Sequence, residues 1–495
     1  MSLPLKRRSA PKAVVMHNSL KPTEEGIQIL DALTKADGHI LINALAGTGK
    51  TSMLQLMAPL SPQKPILYCV FNKDAAMDAE SREWSCPILI KTHNSLGLRC
   101  WADAIGQPVN KITDPRKMIN ILGQVINDLH SDDKKEAMAS YWEIFEAIGM
   151  AKNLGYVPDS LFPNARRLCD RETLSQRIES QLSDFAWEVV DNTLMVSIQT
   201  AYKGCIDYND QIYMPALFGG SYPRFPHVLV DEDQDLSPCN IALLEKLVTG
   251  RLTAVGDRWQ SIYGFRGAET NGVDKVKSLW SMEEMPLSVS HRCPKAIVEA
   301  ARWRVPHFQW KKDGGTYEKL QSLDPLDIPD GSAILCRNNA PLFGAAYSLL
   351  ERGRSVSVAG SDIGPKIVRL LQKIGDPRDS QEDLLIKIEG WRQGKLLTTN
   401  VPATVNDQAD CMVTFASWGE NLGQAIAYAQ DIFRKQGTIT LSTGHKAKGR
   451  EWDVVYHLDP WLLRDDDQDL NLRYVIQTRA KKEAYEINSK ELQWE

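Results

Sequence analysis

The residues Gly47-Thr48-Gly49-Lys50-Thr51 carry the first chemistry legible in the chain. Two glycines let backbone N–H groups turn toward an anion, the Lys50 ammonium can reach outer phosphates, and a helix beginning near Thr51 offers the positive end of its dipole. With Ala44, Leu45 and Ala46 completing the loop, the segment reads as a cradle for ATP or GTP, set against the plainer alternative of an ordinary strand–turn–helix. Position 44 is Ala where a strict pattern has Gly. Roughly 180 residues downstream, within the span of one nucleotide-binding domain carrying an insertion, His227-Val228-Leu229-Val230 runs into Asp231-Glu232-Asp233-Gln234-Asp235. Nucleotide hydrolysis with Mg²⁺ needs one carboxylate near the metal and a neighbour to polarise water, so Asp231 is assigned to the metal and Glu232 to the water. A solvated acidic loop is the alternative, and the strand directly before it argues against that.

A third segment, Leu252 to Ala268, again runs from an apolar stretch into a loop, now rich in Gln, Tyr, Phe and Arg. Gln260 can sense a γ-phosphate by hydrogen bonding, while Tyr263, Phe265 and Arg266 are types that stack on bases and pair with phosphates. An aromatic core segment is an equal reading of the same residues.

These sites need elements to hold them. Strand-like runs alternating with helical patterns predict α/β layers with parallel sheets. Between residues 105 and 200 the apolar positions recur helically, as in Met118, Leu122, Val125 and Leu129 and again in Leu174, Ile178, Leu182 and Phe185. Ser332 to Cys336 and Ser355 to Val358 read as strands of a second layered unit starting near Met285. From Lys366 to Gln436 the pattern is irregular and helical, and a strand resumes at Thr438-Ile439-Thr440-Leu441.

The segment Gly256-Asp257-x-x-Gln260-Ser261-Ile262-Tyr263-Gly264-Phe265-Arg266-Gly267-Ala268 resembles motif III of the UvrD, Rep and PcrA group of superfamily 1 helicases, and the other motifs follow in order. Val70 to Lys73 is similar to motif Ia, Lys91 to Gly97 to motif Ib, Asp231 to Asp235 to motif II, and Ser290-His291-Arg292 to motif IV. Thr443 to Trp452 is similar to motif V, and Arg473 to Ala480 to motif VI. The resemblance implies two RecA-like P-loop domains with parallel sheets, each carrying a mainly helical insertion. Residues 1–104 and 201–284 would form the first domain and 105–200 its insertion. Residues 285–365 and 437–495 would form the second, and 366–436 a short accessory insertion. It further implies that Lys50 neutralises the β and γ phosphates of ATP and that Thr51 and Asp231 hold Mg²⁺. Glu232 would orient water, Gln260 would couple the γ-phosphate to DNA, and Arg292 and Arg479 would act as arginine fingers. Nucleotide contacts would extend to Glu451 and to His291, where the family commonly has an aromatic residue. Gly26 stands where the family's adenine-reading Gln is expected, and Gln28 is the candidate substitute. For single-stranded DNA the pattern points to Tyr263, Phe265 and Arg266, to Asn72, Thr92 and Asn94 in the motif Ia and Ib loops, and to Thr443, His445 and Lys448. Phe71 is either a stacking residue or a core residue.

Composition is that of an ordinary soluble protein, with 24% charged and 43% apolar residues in 495. A net charge of −5 does not advertise nucleic acid, although Lys435, Lys446, Lys448 and Arg450 offer a local basic stretch. The nine cysteines include no C-x-x-C pair, which predicts neither a zinc site nor a disulfide framework and favours a reducing compartment, the cytoplasm or nucleoid. Lys6-Arg7-Arg8 is not followed by a signal-peptide core, and no segment reads as spanning a membrane. The expected activity is 3′-to-5′ movement on single-stranded DNA coupled to ATP hydrolysis and strand separation at duplex junctions, with translocation the safer expectation because the second insertion is short. The alternative is a DNA-gated ATP switch. No nuclease signature is present, so cleavage would need a nuclease partner, and repair, replication and defence partners are not separable from sequence.

Overall fold

The computed structural model describes residues 21–35, 38–158, 162–178, 180–264, 267–268, 271–359, 363–434 and 436–491. Two six-stranded sheets, both wholly parallel, organise the chain. The first is built from β1 (Ile40–Ala44), β2 (Ile66–Val70), β3 (Leu89–Thr92), β4 (Phe225–Asp231), β5 (Val248–Gly256) and β6 (Glu283–Leu287), in the spatial order β3-β2-β4-β5-β1-β6. Strands covered on both faces read as near-continuous apolar runs. Leu41, Leu67, Val228, Val230 and Ala254 pack on one face, while Ile40, Ile42, Tyr68, Leu229 and Val255 pack on the other, the alternation that a period of two imposes.

After a small parallel pair, β7 (Val289–Pro294) with β8 (Gln309–Lys312), the second sheet gathers six more strands. They are β9 (Thr316–Lys319), β10 (Ala333–Cys336), β11 (Val356–Val358), β12 (Ile439–Thr443), β13 (Trp452–Leu458) and β14 (Ala480–Ile487), in the order β11-β12-β10-β13-β14-β9. The α/β class with parallel sheets stands. One boundary moves: a division at 284/285 cuts through β6, which pairs with β1 from Ile40↔Glu283 to Ala44↔Leu287, so the first sheet runs on to Leu287.

Two helical bodies interrupt the layers. The first includes the helices Lys117–Asn127, Tyr141–Leu154 and Asp184–Tyr202 around a core of its own containing Leu122, Ile144, Ile148, Trp187 and Leu194. The second comprises the helices Ile363–Ile374, Gln381–Leu396, Pro402–Ala416 and Leu422–Arg434, packed around Leu371, Leu384, Met412 and Phe415. Ser183 caps the helix at Asp184 and Ser380 forms a reciprocal capping box at Gln381, satisfying N–H groups that a helix start leaves open. Among the described residues no helix is long and apolar enough to cross a membrane.

Candidate functional site

The carboxyl ends of β1, β4 and β5 converge on one crevice, where open parallel sheets place their ligands. From β1 the chain turns through Gly47 and Gly49, with φ of 71° and 87°, into the helix Lys50–Leu60. Such φ values are freely open only to glycine. Gly47 is also demanded by space, since a Cβ there would lie 2.5 Å from that of Arg292. The helix starts without a side-chain cap, so its first N–H groups remain directed at the crevice, the arrangement that suits an anion.

Acidic groups occupy the facing wall. Asp231 ends β4 and accepts a hydrogen bond from the Tyr68 hydroxyl (2.7 Å) and another from the Glu232 N–H (3.0 Å). Glu232 adopts φ 54° and meets Lys50 Nζ at 3.3 Å. Burial and then the Glu232 charge push the Asp231 carboxyl above its ordinary range. For Glu232 burial acts the same way, but Lys50 and Lys448 outweigh it and hold that carboxyl below its usual value. Burial opposes the Lys50 ammonium, yet Glu232, Asp257 and Asp231 together hold it above normal. The two neighbouring carboxylates are thereby differentiated, one held ionised by its cations and one pushed up by burial and by its charged neighbour.

The opposite wall comes from the second sheet's side. Arg479 is buried, and its guanidinium donates to Gln260 Oε1 (3.2 Å) and to the Val475 carbonyl (2.9 Å). Burial, then Arg292, lowers its pKa to about 10, which still leaves it charged at neutral pH. Arg292 is held by Glu451 (2.6 Å) and by the Thr478 carbonyl. Gln260 donates in turn to Asp257 (2.7 Å) just beyond β5. The resulting cleft, of about 670 Å³, is lined by Gly47, Gly49, Lys50, Thr51, Asp231 and Glu232 from one side and by Arg292, Glu451 and Arg479 from the other, with Gln260 and His291 between. Cations, carboxylates and a helix N-terminus thus face one space that is walled from both halves of the molecule.

Several predicted contacts sit elsewhere. Ala44, Leu45 and Ala46 are buried and do not line the cleft; the Leu45 N–H donates to the Leu287 carbonyl (3.0 Å) and the Ala46 N–H to the Tyr474 hydroxyl (3.1 Å), so these amides are already engaged. Thr48 lines a smaller adjoining pocket of about 240 Å³ together with Thr23, Gly26, Met53, Leu287 and His291. Gln28 is exposed and is not part of that pocket, because the helix Glu24–Lys35 turns Gly26, Ile29 and Leu33 inward and leaves Gln28 on its outer face. Burial, then Lys311 and Lys312, lowers the pKa of His291, favouring a neutral ring at the pocket mouth.

On the far side of the carboxylates runs a second groove, of about 1150 Å³, which shares Thr51, Asp231 and Glu232 with the cleft. Phe71, Asn72, Asn94, Tyr263 and Lys448 line it. Phe71 and Tyr263 present parallel rings with centroids 6.1 Å apart. Lys448 donates to Asp235 (2.6 Å) and to the Gln260 carbonyl (2.6 Å), with its ammonium 5.0 Å from the Tyr263 ring centre. Asn72 and Thr92 are occupied as helix caps, accepting from the N–H groups of Ala75 and Ser95, and Asn94 donates to the Tyr208 carbonyl. Thr92, Thr443 and His445 lie outside the groove lining, although the His445 carbonyl accepts from the Tyr263 hydroxyl (3.1 Å). Phe265, Arg266 and Lys435 lie outside the described residues.

Four positioning residues escaped the sequence reading: Tyr68 on Asp231, Gln234, Asp257 and Tyr474. Gln234 donates to Glu232 (2.5 Å) and accepts from the Asp257 N–H (3.0 Å), tying the ends of β4 and β5 together. Tyr474 donates to Asp257 (3.3 Å) across the two halves of the molecule. Gln234, Asp257 and Tyr474 lay within the recognised motifs, which was the available signal; Tyr68 had none.

Comparison with known proteins agrees with this arrangement. Residues 27–280 match the family model described as the UvrD/REP helicase N-terminal domain, and 438–485 match the UvrD-like helicase C-terminal domain. The F-box DNA helicase protein 1 of Schizosaccharomyces pombe is 22% identical over 93% of this chain and 56% of its own length. The ATP-dependent DNA helicase PcrA of Bacillus subtilis is 26% identical over 67% of this chain and 49% of its own. That of Leuconostoc citreum is 25% identical over 59% and 42%. The chain therefore spans about half the length of the curated relatives it matches.

Proposed function

The chain belongs to the UvrD/REP helicase family, and from that membership we propose that it is an ATP-dependent motor on single-stranded DNA, moving 3′ to 5′ and separating strands at duplex junctions. The observation that carries the reading is the shared wall: Thr51, Asp231 and Glu232 border both the phosphate-binding cleft and the aromatic-lined groove. A change of nucleotide state on one side is felt on the other without a long relay.

In this reading Lys50 and the N–H groups at Gly49 and Lys50 hold the outer phosphates of ATP. The hydroxyl of Thr51 and the carboxylate of Asp231 supply hard oxygens of the kind that suit Mg²⁺. Mg²⁺ there would neutralise charge on the phosphates. Glu232, kept ionised by Lys50 and Lys448, orients the attacking water. Arg479 and Arg292 approach from the other sheet and meet the charge that develops on the transferred phosphoryl, so hydrolysis requires the two halves to be apposed. Gln260, bonded to Asp257 and Arg479 at once, links the end of β5 to that arginine. On the groove side, Phe71 and Tyr263 offer stacking faces that tolerate any base.

Duplexes bearing a 3′ or a 5′ tail test the direction: displacement from the 3′-tailed substrate alone is expected, and displacement from the 5′ tail alone would overturn it. A DNA-gated ATP switch is the other reading, favoured by the small second helical body. It would hydrolyse ATP on a biotinylated oligonucleotide without displacing streptavidin, whereas the motor displaces it.

A further inference from the structure

The two helical bodies leave from different sheets and meet again. Lys395 pairs with Glu143 at 2.5 Å, the Gln181 N–H donates to the Thr398 carbonyl (3.1 Å), Asn400 donates to the Ile178 carbonyl (3.2 Å), and Ser180 and Thr399 form an antiparallel bridge. The sheets are themselves joined through Arg479–Gln260 and Lys448–Asp235. All four bodies are therefore connected in a circuit, and the groove is lined from each: Phe71, Asn153, Lys366, Thr404 and Lys448. Ile178 both lines the groove and carries one of the clasp contacts, so the clasp is part of the groove's wall.

We infer that the helical bodies close a ring around the single-strand groove through Glu143–Lys395 and the contacts of Ile178, Ser180 and Gln181 with Thr398, Thr399 and Asn400, so that a strand enters by threading a free end unless this clasp first parts. The inference rests on the groove being the single-strand track. Its consequence is a specificity for substrate topology: a strand with an end loads directly, while a closed circle or an internal gap must wait for opening. The clasp is built to open. The two helical cores are separate clusters with no shared buried apolar residue among those described. Its ion pair is partly exposed, with side-chain exposures of 40% for Lys395 and 21% for Glu143, which leaves it open to competition from water and salt.

A disulfide tests the point. Partners across an antiparallel bridge have Cα atoms about 4.5–5.5 Å apart, within the range a disulfide spans. Ser180→Cys combined with Thr399→Cys is oxidised, and ATP turnover is measured with linear oligonucleotide and with circular single-stranded DNA, using oxidised wild type as control. The expected result is stimulation by linear strand but turnover with circles reduced to the level without DNA, restored by reductant. Cross-linking after loading should trap the protein on circles through a salt wash while linear strands slide out. Equal stimulation of the cross-linked protein by both substrates would overturn the ring. Stimulation by neither, in wild type as well, would instead sink the single-strand reading beneath it. Should the cysteine pair fold poorly, Lys395→Glu carries the test: it should load on circles faster than wild type, and adding Glu143→Lys should restore the wild-type rate. An unchanged rate in Lys395→Glu would count against the clasp.

Discussion

Two seams join the same halves of this molecule and are made of different materials. At the sheet seam, Leu45, Ala46 and Ile262 from the first half enter one buried cluster with Cys293, Leu472, Tyr474 and Ile476 from the second, and the Lys448–Asp235 pair is almost fully enclosed, with side-chain exposures of 6% and 2%. At the seam between the helical bodies, hydrogen bonds and a partly exposed ion pair do the joining, and Leu397 stands 84% exposed nearby. Desolvated contacts hold a geometry within fractions of an ångström, whereas exposed polar ones form and break under thermal motion. Chemistry that needs arginines placed against phosphates belongs on the first kind, and admission of a polymer belongs on the second.

The comparison breaks most visibly at Arg479. Arg479→Ala should lower the rate of strand-stimulated hydrolysis by roughly 10³-fold or more, the usual worth of an arginine finger, with ATP binding retained; a loss of less than tenfold would remove it from the transition state. Next come the two seam lysines. Lys448→Ala strands a buried carboxylate and should destabilise the protein by about 3–5 kcal/mol in denaturant unfolding. Lys395→Ala, at the clasp, should cost only about 0.2–1 kcal/mol and lose even that at high salt. Equal costs would erase the distinction between the seams. Phe71→Ala should weaken single-strand affinity by ~1–3 kcal/mol in a fluorescence anisotropy titration, with ATP affinity unchanged. No change in strand affinity would assign Phe71 to packing alone.

Much of this was legible in the sequence, for a physical reason. Doubly covered parallel strands are apolar runs, so β1, β4, β10 and β12 announce themselves, and the groups that meet phosphate are restricted to a few residue types at tight spacing. What was not legible depends on partners far away in the chain. Ala46 looks like part of the phosphate loop until its N–H is found on Tyr474, 428 residues later. The edge between the halves looks like a break near Met285 until β6 is seen paired to β1. Gln28 was within reach: Gly26, Ile29 and Leu33 follow helical spacing and set the buried face, so Gln28 had to point outward. The clasp had no sequence signal, since its hydrogen bonds are to main-chain atoms and its charges are ordinary surface residues.

The most direct measurement is steady-state ATP turnover by wild type and by Lys50→Ala as single-stranded oligonucleotide is titrated from zero to saturation. A saturable rise in wild type, with no turnover above background in Lys50→Ala at any strand concentration, is the predicted result. Turnover in wild type that ignores the strand, or a strand response that survives in Lys50→Ala, would contradict a nucleotide cleft coupled through Thr51, Asp231 and Glu232 to the groove beside it.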